Sequence, residues 1–137
     1  MASFVFNQAK LSVLDGTIDL STDSFYAVLV TATPTSGVTQ KAGLTEATGG
    51  NYTPQDLTGQ SLALNSSTVE LTFVNPIWNS LTTTSGAILG VVICKGTAGA
   101  TAGTDEVLAF LEFTASYTPS GATFQVTATG NVYLSLT

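Results

Sequence analysis

Two short segments of this chain are apolar at every position, odd and even alike. They are Phe25-Tyr26-Ala27-Val28-Leu29-Val30 and Ala87-Ile88-Leu89-Gly90-Val91-Val92-Ile93-Cys94. Both are too short for a buried helix, and β-branched and aromatic residues dominate them, so they read as strands covered on both faces. In the second run Ala87, Leu89, Val91 and Ile93 share one face, and Ile88, Val92 and Cys94 the other. A small sandwich normally leaves one face of each strand to solvent. The extra faces therefore predict cover from a partner sheet or from a neighbouring copy of the chain.

Other segments carry the same language. Thr68-Val69-Glu70-Leu71-Thr72-Phe73 alternates, with Val69, Leu71 and Phe73 inward. Ser61–Leu64 precedes it across Asn65-Ser66-Ser67, which has hairpin composition. Asn75-Pro76 ends that strand and leaves Trp78 and Leu81 in a loop, placed to plug one end of the core. Glu106–Phe113, Thr123–Thr127 and Asn131–Leu136 complete about eight strands, with Gly130 read as a hairpin turn between the last two. Turn signals every 8–12 residues or so, and no βαβ alternation, predict an all-β fold. The expected architecture is one antiparallel β-sandwich over residues 1–137, jelly-roll-like, with a short N-terminal helix or arm in residues 1–16.

Within that first segment, Ser3 is placed as N-cap and Phe6, Ala9, Val13 and Leu14 near one helical face, with Asp15-Gly16 as the stop. Ser12-Val13-Leu14 reads equally as the approach to a strand. Residues 32–56 form a long irregular surface excursion with turn clusters at Thr33–Gly37 and Gly49-Gly50-Asn51, and a single helical turn predicted at Leu44–Ala47. A connection of this length suggests an excursion over the surface or an arm toward a neighbouring subunit.

Composition limits the chemistry. Among 137 residues there are three lysines (Lys10, Lys41 and Lys95), nine carboxylates and a net charge of −6. Charged residues are 9% of the chain, and 24 Thr with 13 Ser supply its polar surface instead. So few cations predict no direct nucleic-acid binding and no docking to an anionic membrane. The absence of His removes imidazole catalysis and imidazole metal sites, and one Cys excludes an internal disulfide or a zinc–thiolate cluster. The start, MASFVFNQAKL, shows no basic segment followed by an apolar run, so no secretory signal is expected.

Three groups remain to be weighed. Asp15, Asp19 and Asp23 are spaced by four and would gather a hard cation only on a continuous helix, which Gly16 and the turn residues oppose. Asp105 and Glu106 are adjacent and point to opposite faces of a strand, while Glu112 is too distant to pair with either for acid–base work. Cys94 precedes Lys95, but neighbours on a strand diverge, and Val91-Val92-Ile93 marks a buried thiol. No catalytic residue, cofactor site or metal site is assigned. Tyr52, Trp78 and Tyr117 are aromatic candidates for stacking on a sugar, although they are spread along the chain.

The order of elements resembles a family of small tailed-phage virion structural proteins. The resemblance runs from Phe6-Asn7 to Leu14-Asp15-Gly16, through Ile18-Asp19-Leu20, Asp23 and the Tyr26–Val30 strand. It continues in Leu57-Thr58-Gly59, Val69–Phe73, Trp78, Ile88–Lys95 with Gly96, Leu108-Ala109 to Phe113, and Phe124, Val126, Val132 and Leu136. It implies a non-enzymatic capsid decoration or cement protein, located in the virion and bound to the major capsid protein or other virion proteins. It also implies a homotrimer on the head lattice. A tail, neck or fibre component and a carbohydrate-binding β-sandwich module are the alternatives.

Overall fold

The computed structural model describes residues 3–136, and of Asn131 only the backbone. The chain runs through β1 (Phe4–Val5), α1 (Asn7–Leu14), β2 (Phe25–Val30), β3 (Gln55–Asp56), β4 (Ser61–Asn65) and β5 (Thr68–Thr72). It continues through β6 (Ile77–Trp78), β7 (Ile88–Lys95), β8 (Val107–Tyr117), β9 (Phe124–Gln125) and β10 (Val132–Leu136). Every pairing is antiparallel. The strands form a five-stranded sheet in the order β1-β8-β7-β2-β3, a three-stranded sheet β10-β5-β4 and a two-stranded sheet β6-β9. This is the all-β sandwich with an N-terminal helix that the strand pattern predicts.

The two apolar runs are its centre. β2 and β7 pair without slippage from Phe25 opposite Lys95 to Val30 opposite Gly90. All six β2 residues are buried, none more than 1% exposed. On one face Phe25 meets Phe73 just beyond β5, with ring centroids 6.0 Å apart, and Phe73 meets Tyr133 of β10 at 5.7 Å. On the other face the Tyr26 hydroxyl donates to Asp105 at 2.6 Å. Cover for both faces thus comes from within one chain, and the two-sided apolar character of β2 and β7 requires no neighbouring copy. Gly90 is needed for this packing. A Cβ there would lie 2.5 Å from both the Leu111 carbonyl oxygen and the Phe110 ring.

The N-terminal segment departs from its expected form. Ser3 does not cap a helix; its hydroxyl accepts from the Glu112 amide at 2.9 Å. Phe4 and Val5 pair with Phe110 and Ala109, and the helix begins only at Asn7, with no side-chain cap on its N-terminus. The β8 edge outcompetes an early helical turn, because pairing satisfies the backbone and packs Phe4 against Phe110 at 5.5 Å. Phe6 and Ala9 are buried as expected, whereas Leu14 is 86% exposed and Ser12 takes the inward position. Gly16, at φ +84°, ends the helix as read from the sequence.

The excursion 32–56 lies along the outer edge of β2. Thr31 N–H bonds the Thr45 carbonyl, Ala47 N–H bonds the Leu29 carbonyl, and Leu57 N–H bonds the Phe25 carbonyl. Val30 bridges to Glu46, and β3 pairs Asp56 and Gln55 with Tyr26 and Ala27. Its helical turn sits at Lys41–Gly43 rather than Leu44–Ala47, because Leu44 and the residues after it extend to reach β2.

At the far end of the chain the expected hairpin about Gly130 is absent. β9 pairs with β6 and β10 with β5, so Gly130 connects different sheets, within a short 3-10 turn at Thr129–Asn131. The Thr123–Thr127 strand shortens to Phe124–Gln125, and Trp78, read as a loop residue, is opposite Phe124 in β6. Burial decides these pairings: Leu134 of β10 lies opposite Leu71 of β5, and both are buried. Trp78 and Leu81 are buried, at 3% and 1% exposure.

Candidate functional site

The aspartates at 15, 19 and 23 are held in turns. α1 ends at Leu14, so no helix carries them together. Asp15 accepts from the Thr17 amide, and Asp19 accepts from the Ser21 amide and hydroxyl. These side-chain and then backbone hydrogen bonds hold both carboxyls below the usual range. Asp23 accepts from the Asp19 amide at 2.8 Å and pairs with Lys95 at 3.1 Å.

The second carboxylate group also separates. Asp105 accepts from the Tyr26 hydroxyl and the Ala102 amide. Glu106 accepts from the buried Ser12 hydroxyl of α1. Glu112 lies along β8, where its amide is tied to Ser3. Asp105 and Glu106 therefore belong to different local contacts.

A polar cluster invisible in the sequence is gathered where the excursion meets β2. Lys41 pairs with Glu46, and both side chains are mostly buried. The Tyr52 hydroxyl donates to Glu46 at 3.0 Å while accepting from the Leu29 amide at 3.0 Å. Burial above all pushes the Tyr52 and Tyr26 hydroxyls well above the usual tyrosine range. Cys94, fully buried and opposite Tyr26 in the β2–β7 register, is pushed up to about 12 by desolvation. Lys41 opposes that shift, whereas the sequence neighbour Lys95 turns away to the Thr17 carbonyl and Asp23. At neutral pH the thiol is neutral and enclosed. The cluster clamps the excursion to the sheet and exposes no nucleophile.

The three aromatic candidates are brought into one row. Tyr52 stacks on Trp78 at 6.5 Å, Trp78 meets Phe124 at 6.2 Å, and Phe124 stacks on Tyr117 at 4.5 Å. The Trp78 indole N–H donates to the Thr53 carbonyl at 2.7 Å. Trp78 is enclosed by its neighbours, and half-buried Tyr117 closes the row. β-Pairing of Trp78 with Phe124 joins residues 46 positions apart, which no local pattern signals.

Clefts and exposed apolar side chains are the remaining surface features. A cleft of about 590 Å³ opens between β1–β8 and β10, with Phe4, Val5, Phe110 and Tyr133 in its wall. A polar cleft of about 400 Å³ lies among Gln8, Ser12, Asp15, Thr39 and Glu106. Leu11 and Leu14 of α1 are 56% and 86% exposed beside exposed Lys10, and Leu62 and Leu64 of β4 are 40% and 71% exposed. Among the described residues no three His, Cys, Asp or Glu side chains are grouped as a metal site requires. Compared with protein-family models, curated proteins and solved structures, the chain matches none. What fold and surface define is an all-β sandwich whose most exposed large apolar side chains are Leu14 of α1 and Leu64 of β4, with Leu11, Leu62, Val74 and Ile77 also at the surface.

Proposed function

We propose that this chain is a non-enzymatic structural protein of a bacteriophage virion, a decoration or cement protein that binds the head lattice. One observation supports this reading best. Asp15, Asp105 and Glu106 are committed to internal hydrogen bonds and the thiol is buried, while large apolar side chains stand exposed on α1 and β4. The motif resemblance supplies the virion, the capsid partner and a threefold seat; the exposed side chains supply a neutral, apolar means of attachment. Lys10, Leu11 and Leu14 form the lattice-facing strip, since they project from a helix whose other face is anchored in the core. With so few cations the contact is weakly salt-dependent.

Co-sedimentation with undecorated capsids tests the reading. Binding is expected to persist from low to high salt and to drop at least tenfold in a Leu11→Ser/Leu14→Ser chain of unchanged fold. Failure to bind any capsid, with equal mobility of both chains, would overturn it. Truncation is a poor substitute: removing residues 1–14 also removes β1 and buried Phe6, and removing 36–50 uncovers β2.

A further inference from the structure

One edge of the three-stranded sheet is bare. All five β4 residues are exposed, and among the described residues the backbone of Ser61–Asn65 makes no hydrogen bond outside the β4–β5 hairpin. The two-residue turn at Ser66-Ser67 makes Asn65 and Thr68 the closing pair. Ser61, Ala63 and Asn65 therefore turn their N–H and C=O groups toward β5, and Leu62 and Leu64 turn theirs outward. Natural sheets blunt such edges with Lys, Pro or a bulge. β4 has none of these.

We propose that a second copy of this chain adds its own β4 antiparallel to this edge, about a twofold axis through Ala63. The strand is self-complementary in that register. Leu62 faces Leu64 of the second copy, and each of these two pairs exchanges both backbone hydrogen bonds. Ala63 meets its own counterpart as a non-hydrogen-bonded pair, with Cα atoms about 4.5 Å apart. The leucine side chains lie on the same face as Leu71, so pairing extends the apolar face and covers part of it.

Charge selects this occupant. Two copies of a chain carrying −6 repel over most of their surfaces, but from Leu57 to Val69 no residue is charged. At β4 two copies therefore meet with no carboxylate facing another. A strongly basic or acidic partner finds no counter-charge on this strand. Because the contact uses the same strand twice, it closes at two copies and does not propagate into a fibre.

This inference does not rest on the virion role, and its test needs no capsid. In an Ala63→Cys chain the new thiol is accessible, whereas Cys94 is buried. Mild oxidation of the native protein is expected to give a disulfide-linked dimer, doubling the 14.0 kDa mass, since the facing Cα separation suits a disulfide. Sedimentation of the unmodified chain is expected to show concentration-dependent doubling, lost in a Leu62→Lys/Leu64→Lys chain. Should the cysteine variant misfold, the lysine pair still decides. A chain that stays monomeric at high concentration, or whose association survives the two lysines, overturns the proposal. So does a trimer without a cross-link in the Ala63→Cys chain.

Discussion

The outer edge of β2 and the outer edge of β4 pose the same physical problem and receive opposite answers. Each is a strand with a row of N–H and C=O groups facing away from its sheet. Along β2 the excursion, with Leu57 just after it, supplies partners one by one: the Thr45 carbonyl, the Ala47 and Leu57 amides, the Tyr52 hydroxyl and the short strand β3. Along β4 the described residues supply no such partner. A protein with few charges has little with which to guard sheet edges electrostatically. Here a long loop does the guarding at the edge whose strand is wholly buried, and among the described residues the edge of β4 has no such guard.

This contrast can be broken at the capped edge first. Tyr52→Ala removes both the ring stacked on Trp78 and the hydroxyl between Glu46 and the Leu29 amide. A loss of about 3–5 kcal/mol is expected by analogy with large aromatic truncations, read as a fall in denaturant midpoint. Tyr52→Phe keeps the ring and leaves the Leu29 amide without its hydroxyl partner, for a smaller loss of about 1–3 kcal/mol. A Tyr52→Phe chain as stable as the unmodified one would show that packing alone matters and that the hydroxyl does not close the edge.

Next comes alkaline pH, which reports on the thiol beneath the clamp. Burial raises Cys94 in the folded state only, so the unfolded chain releases its proton first as pH rises. Stability is therefore unaffected by this group at neutral pH. It falls once pH exceeds the free thiol value of about 8.5, by up to about 1.4 kcal/mol per pH unit, until the folded value is reached. Cys94→Ala should make that fall shallower between pH 9 and about 12, with the part due to the buried tyrosines remaining above about pH 10. In the native protein Cys94 should resist thiol reagents and react after denaturation; fast native labelling would mean that the sheet opens there.

The smallest effect on stability is expected at the bare edge. Leu64→Lys changes a side chain that is 71% exposed, so unfolding free energy should move by no more than about 0.5 kcal/mol while self-association is lost. A large destabilisation would mean that β4 is already covered in the single chain.

The sequence made the strands visible wherever burial writes a pattern. The two-sided run of β2, the alternation of β5 and the polar turn at Ser66-Ser67 all appear where they were read. Patterns failed where two residues suffice. β1, β3, β6 and β9 are each two residues long, shorter than any periodicity can register, and their pairing follows from distant partners such as Phe110 for Phe4 and Phe124 for Trp78. Gly130 had the composition of a hairpin turn, but a turn residue states only that the chain bends, not which strand receives it. The role of the excursion was hidden for a related reason. Its contacts are mostly backbone hydrogen bonds, which need no particular side chain, and the Lys41–Glu46–Tyr52 cluster forms only once that backbone is laid against β2.

Amide hydrogen exchange, measured residue by residue at low and high protein concentration, tests most directly the claim that one edge is closed by the chain and the other by a second copy. The Leu29 and Thr31 amides, which face the excursion, should be strongly protected at both concentrations. Those of Leu62 and Leu64 should exchange freely in dilute protein and slow by at least tenfold when it is concentrated. Rapid exchange at Leu29 and Thr31, or protection of Leu62 and Leu64 that does not change with concentration, would contradict it.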